Sequence, residues 1–134
     1  MTLVDTNVLV DLATDDPAWA QWSIARLEEA SLSGPLLIND VVYAELAVRY
    51  ERVEDLDQFV AGLGLRHVAM PRGALFLAAK AFLHYRKSGG TRTGVLPDFF
   101  IGAHAAVADI ALLTRDRQRY ETYFPKVRLI APRP

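Results

Sequence analysis

Five short, mostly apolar runs recur along the chain: Thr2–Val4, Leu36–Ile38, Arg66–Met70, Ile110–Leu113 and Val127–Ile130. Runs this short, with little alternation of polar residues, read as strands covered on both faces. Helical spacing fills the intervals between them. Strands that alternate with helices require an α/β fold with a mostly parallel sheet. Right-handed crossovers then place helices on both faces, giving three layers, α/β/α.

The helices have recognisable ends. Val8, Leu9 and Leu12 suit a first helix. Asp16 suits an N-cap, with Pro17 as the first helical residue of a segment reaching about Ala30. Asn39 and Asp40 cap a helix that runs through Val48, and a shorter one covers about Leu56 to Leu63. The spacing predicts a strong helix over Ala74 to Arg86, with Leu75, Ala78, Phe82 and Tyr85 on one face. Pro97-Asp98 opens a helix rich in Gly and Ala, able to approach a neighbour closely, and a short helix near Arg117 to Tyr123 follows the fourth strand.

With 134 residues and 51% hydrophobic content, residues 1–134 make one globular domain. The absence of cysteine excludes disulfides and thiolate zinc sites and fits a cytoplasmic protein. Asp5 interrupts the apolar N-terminus, which has no basic region before it, so a signal peptide is not expected. The apolar run Ala103 to Leu113 carries His104 and Asp109; it is too short and polar to span a membrane. Residues 1–60 hold 3 basic and 12 acidic side chains, and residues 61–134 hold 12 and 4. Such asymmetry, −9 against +8, suits an acidic and a basic face, the latter able to track phosphates.

Four acids stand out by position. Asp5 follows the first strand and Asp116 the fourth, while Asp98 opens the helix leading into the fourth. Each also stands where a helix N-cap would. Glu45 does not: it lies a turn inside its helix, between Val41 and Val42 on the apolar side when residues are set about 100° apart. A carboxylate there needs a partner or a proton, and Arg49, one turn on, is one available partner. Four acids at one sheet edge repel each other unless divalent cations lie between them. Mg²⁺-like ions take oxygen ligands, and a pair about 4 Å apart stabilises both the attacking and leaving oxygens of a phosphodiester. Repulsion also predicts at least one raised carboxylate pKa in the metal-free protein.

Asp5-Thr6-Asn7 after a strand, Tyr43-Ala44-Glu45-Leu46, Pro97-Asp98 through His104-Ala105, and Leu113-Thr114-Arg115-Asp116 together resemble the PIN domain, and among its members the small VapC-type toxins of toxin–antitoxin pairs. Each motif is weak alone, but the ordered set spans essentially the whole chain. The resemblance implies a five-stranded parallel sheet of order 3-2-1-4-5 and an endoribonuclease dependent on one or two Mg²⁺ or Mn²⁺ ions. It implies Asp5, Glu45, Asp98 and Asp116 as the catalytic, metal-binding acids, with Thr6, Asn7 and Thr114 as polar support around them. It also implies a VapB-type antitoxin and a homodimer. The expected chemistry is in-line attack by an activated water on RNA, leaving 5′-phosphate and 3′-hydroxyl ends.

Arg86, Lys87 and Arg92 around the glycine-rich loop read as phosphate contacts or as a solvated loop, and Arg115, Arg117 and Arg119 beside Asp116 as phosphate contacts or as surface residues. His67, His84 and His104 share no ligand spacing and read as structural or surface residues. Trp19 and Trp22 read as core or as a partner patch. Two other readings remain beside the toxin nuclease. One is an RNA-binding or housekeeping RNA-processing module on the same fold. The other is a phosphatase with Asp5 as nucleophile, against which stands Asn7 where such enzymes carry a second Asp.

Overall fold

The computed structural model describes residues 1–92 and 94–133. Its strands are β1 (Thr2–Val4), β2 (Leu36–Ile38), β3 (Leu65–His67), β4 (Ala111–Leu113) and β5 (Leu129–Ile130). They form one parallel sheet in the order β3-β2-β1-β4-β5, as the resemblance implied. Every residue of β1, β2 and β4 is buried. Successive strand residues face opposite sides, so complete burial means that helices cover both faces of the sheet.

The chain steps outward from β1 through β2 to β3, then returns to lay β4 against the other side of β1. The order reverses between β1 and β4. That reversal leaves a crevice beyond the carboxyl ends of these two strands, where ligands bind in open α/β sheets. Val4 is level with Leu113, and the Asp5 N–H donates to the Leu113 carbonyl at 2.9 Å. Asp5 and Thr114 therefore leave the sheet side by side.

The helices are α1 (Thr6–Ala13), α2 (Ala20–Ser33), α3 (Asp40–Ala47), α4 (Val53–Gly62), α5 (Arg72–Lys87), α6 (Leu96–Ala108) and α7 (Arg117–Tyr123). Among the described residues, no helix is long and apolar enough to cross a membrane. Asn39 caps α3 as expected, its side chain accepting from the Val42 N–H at 3.0 Å. Asp16 likewise accepts from the Ala18 and Trp19 N–H groups. Trp19, at φ −124° and ψ −16°, breaks that turn, so α2 starts at Ala20 rather than Pro17. At its other end α2 passes Ala30 and reaches Ser33, where Gly34 at φ +150° ends it.

Other boundaries move by a few residues. β3 starts at Leu65 and stops at His67, short of Met70, while β5 is only Leu129 and Ile130. Helix α4 starts at Val53, three residues before Leu56. On α5 the buried stripe passes through Ala74 and Ala78, and Leu75 is exposed, contrary to the sequence expectation. The small alanines allow α5 to lie close against α6, whose buried residues include the small Gly102, Ala103 and Ala105. A Cβ on Gly102 would stand 2.4 Å from the Phe124 ring, so this position admits only glycine without rearrangement. Phe124, Phe99, Tyr120 and Tyr123 thus pack α7 onto α6 and the sheet, which fixes Asp116 at the mouth of the crevice.

Candidate active site

The cap alternative fails for the three acids that invited it. Asp5 and Asp116 occupy cap positions, yet neither makes a side-chain cap hydrogen bond to the N–H groups further into its helix, and Asp98 lies within the first turn of α6 behind Val95. Glu45 makes no ion pair with Arg49; it accepts the Thr6 hydroxyl at 2.6 Å instead. The four carboxylates come from β1, α3, α6 and the end of β4, and they sense one another. The charge of Asp98 pushes the pKa values of both Asp5 and Glu45 upward, and Asp116 does the same to Asp98.

Asp5 is the most deeply set, 4% exposed. Its Oδ2 accepts from Thr114 Oγ1 at 2.7 Å and from Tyr120 Oη at 2.9 Å. Burial nevertheless pushes its pKa up to about 7, with the charge of Asp98 adding to the rise. The Thr114 and Tyr120 hydroxyls and the Thr6 N–H oppose it. A raised carboxylate pKa was expected, but from repulsion; burial is the larger cause here and at Glu45 and Asp98. Burial and the surrounding acids hold the Tyr120 phenol well above its ordinary value, so it remains a hydrogen-bond donor.

Thr114 is the hub of the polar support. Its hydroxyl donates to Asp5 and accepts from Asn7 Nδ2 at 3.4 Å and the Asp116 N–H at 3.0 Å. One proton and two lone pairs are the full capacity of a hydroxyl. Asn7 Oδ1 accepts from the Arg115 N–H at 3.2 Å, tying α1 to the loop after β4. Asn7 and Thr114 thus bond to one another and to the Asp5 and Asp116 positions, while Thr6 bonds Glu45.

The arginines divide. Arg119 Nη1 donates to Asp98 Oδ2 at 2.7 Å, and among the described residues it is the only basic side chain in an ion pair with any of the four acids. Arg92 lines a cleft with Asp116 and Arg119. Arg86 and Lys87 are exposed at the end of α5 and line none of the clefts beside the acids. The other two are engaged within the chain. Arg115 Nε lies 2.8 Å from the buried Asp11, an ion pair rather than an aligned hydrogen bond, and its guanidinium covers Trp19. Arg117 bonds to Glu121 and to the carbonyls of Ala131 and Pro132, so it fastens the C-terminal segment.

Two side chains escaped the sequence reading. Tyr120 gave no signal, since an aromatic on a short helix reads as core. Asp11 did give one: on α1 it falls about 60° from Val8, inside the apolar face, and it is 1% exposed with Ser23 and Arg115 as partners. The histidines are structural or superficial as expected. His104 is buried against Asn39, His67 pairs with Asp40 and stacks on Tyr43, and His84 lies edge-on to Tyr123.

Among the described residues no three His, Asp or Glu side chains are arranged to hold a metal ion together. Three of the four acids have an oxygen committed, to Thr114 and Tyr120, to Thr6 or to Arg119. The donor set still fits a hard divalent cation. It consists of oxygens, it brings four acids together, and burial, helped by the neighbouring acids, holds three of its four carboxyls above their ordinary pKa.

The chain matches the PIN domain family profile over residues 2–125. No curated protein sequence matches it significantly. Solved structures that share its fold do so at low identity. A chain of VapBC2 from Rickettsia felis, bound to a DNA fragment from its promoter, is 17% identical, with 97% of each chain covered and a TM-score of 0.71. DNA-bound VapBC from Salmonella typhimurium gives 18%, 97% of this chain, 96% of that one and 0.70. VapBC-1 from nontypeable Haemophilus influenzae gives 16%, 97%, 96% and 0.69. With the profile spanning nearly its full length, the chain belongs to the PIN domain family.

Proposed function

We propose that the protein is an endoribonuclease, the toxin of a VapBC-type toxin–antitoxin pair, that uses Mg²⁺ or Mn²⁺. PIN domains are generally nucleases, and the structures that share this fold are toxin–antitoxin complexes, which supports a VapB-type antitoxin as partner. A homodimer and a cytoplasmic setting belong to the same reading. The observation that carries it is the approach of Asp5, Glu45, Asp98 and Asp116 to one another at the sheet's switch point, where the charge of Asp98 reaches Asp5 and Glu45 and that of Asp116 reaches Asp98.

In this reading the four carboxylates hold one or two divalent cations. When bound, such cations supply positive charge to the phosphodiester and make a water more acidic. The protein's own groups do the positioning. Thr114 and Tyr120 fix one oxygen of Asp5 from opposite ends of the β4–α7 segment, and Thr6 fixes Glu45. Asn7 and Thr114 hold the loop that presents Asp116. The buried floor around Asp5 excludes water on the protein side and strengthens every charge interaction above it.

The phosphatase reading is disfavoured by the same contacts, since Oδ2 of Asp5 carries two hydroxyl donors and Asn7 is spent on Thr114 and Arg115. The test uses partner-free protein and end-labelled RNA. Cleavage in Mn²⁺ that leaves 5′-phosphates, stops with EDTA and is lost in Asp98→Asn supports the proposal. Cleavage untouched by EDTA, or full activity of Asp98→Asn, overturns it. RNA binding without any cleavage marks a binding module instead.

A further inference from the structure

A cleft of about 400 Å³ opens between α5 and α7, walled by Tyr85, Arg92, Asp116, Gln118, Arg119 and Thr122. It adjoins the acid cluster, because Asp116 and Arg119 belong to both. Arg119 is well covered, 16% exposed, with its guanidinium 6.0 Å from the centre of the Tyr85 ring. A guanidinium has five N–H donors; among the described residues one of them is bonded, to Asp98. Arg92, a second arginine, also lines the cleft, and its backbone N–H donates to the Tyr85 hydroxyl at 3.1 Å, which anchors the loop. Two arginines with donors to spare suit an anion with several oxygens, and a phosphodiester matches the guanidinium fork.

We propose that this cleft binds a phosphate of the RNA strand next to the one that is cut, and that Arg119 is shared between two partners. In the free protein it neutralises Asp98. In the complex its guanidinium turns to the RNA phosphate and releases Asp98 to the cations. The proposal rests on reading the acid cluster as an RNA-cutting site. Its physical consequence is coupling: a cation at Asp98 frees Arg119 for RNA, and RNA that draws Arg119 away leaves Asp98 open to the cation.

The test compares the wild-type protein with Arg119→Gln and Arg119→Lys. Mn²⁺ affinity is read by calorimetry without RNA, and the affinity for a short fluorescent single-stranded RNA by anisotropy in EDTA. The two should move in opposite directions in Arg119→Gln. Mn²⁺ binds several-fold more tightly because its competitor is gone. RNA binds about tenfold more weakly, and the slope of log affinity against log salt shrinks by about 0.7, the share of one phosphate contact on a single strand. Arg119→Lys keeps the salt slope and part of the affinity. Unchanged RNA affinity in Arg119→Gln, or a parallel loss of both affinities in both variants, overturns the proposal. Wild-type protein that never cuts RNA, combined with weakened RNA binding in Arg119→Gln, would sink the nuclease reading and leave the cleft standing.

Discussion

Tyr120 donates its hydroxyl to Oδ2 of Asp5 at 2.9 Å, across 115 residues of chain, with both side chains out of contact with bulk water. The bond joins α7 to the end of β1 at the base of the acid cluster. Because the phenol stays protonated, its donation favours the ionised form of Asp5. In Tyr120→Phe that support disappears while the ring volume stays. The Asp5 pKa should climb further above its value of about 7. Stability should fall by about 1 kcal/mol where Asp5 is neutral and by roughly 1.5–3 kcal/mol where it is ionised. Urea unfolding at mildly acidic and at alkaline pH measures both.

The pH dependence of the metal-free protein follows from Asp5 itself. Its folded pKa of about 7 lies above the ordinary carboxylate value of 3.8. Between these values the native state holds a proton that the unfolded chain releases, so stability declines as pH rises. It should be highest below about pH 4, fall through pH 7 and then level off, with a total loss on the order of 4 kcal/mol. Glu45 and Asp98 are raised too and act with the same sign. Melting curves in EDTA from pH 4 to pH 9 test this, and Asp5→Asn should flatten the decline. Added Mg²⁺ should raise the melting temperature more at pH 8 than at pH 5.5, since cation and proton compete for the same carboxylates.

Much of this arrangement was legible in the sequence because it rests on local rules. Apolar runs at the core gave β1, β2 and β4, and an Asx cap gave the start of α3. Glu45 stands on an apolar helical face in the sequence pattern, and Asp11 stands the same way on α1. Tyr120 could not be recognised, because its partner is brought to it by the sheet and not by spacing. Arg117 and Arg119 look alike in sequence, yet residues two apart on a helix diverge by about 200°. One therefore meets the C-terminal segment and the other meets Asp98. Which arginine faces the acids is a fact of tertiary packing.

Thr114 offers a sharper separation of shape from chemistry. Replacement by valine keeps the volume of this fully buried side chain but takes a partner from three groups: the Asp5 carboxylate, which keeps Tyr120, Asn7 Nδ2 and the Asp116 N–H. Thr114→Val should cost about 2–3 kcal/mol, the penalty of unpaired buried polar groups. Thr114→Ser keeps the hydroxyl and loses one methyl, at about 1 kcal/mol. If RNA cleavage depends on the posture of Asp5 and Asp116, serine should retain most of the activity and valine little. Equal stability and equal cleavage in the two variants would show that the hub is not needed.

Gly102 links packing to the site from a distance. In Gly102→Ala the new methyl would lie 2.4 Å from the Phe124 ring and 3.0 Å from Tyr120. The rings belong to a close-packed aromatic cluster with Phe99 and Tyr123, so they can yield only by shifting α7 away from α6. Overpacking of this kind destabilises by about 1–3 kcal/mol. Such a shift also withdraws the Tyr120 hydroxyl from Asp5 and displaces Arg119 and Asp116, which ride on or beside the same helix. Gly102→Ala should therefore lose more cleavage activity than a core substitution of equal stability cost at the far edge of the sheet, such as Leu65→Val. Measuring unfolding free energy and RNA cleavage on both variants decides it, since a common loss of activity at matched stability would remove α7 from the list of elements that position the acids.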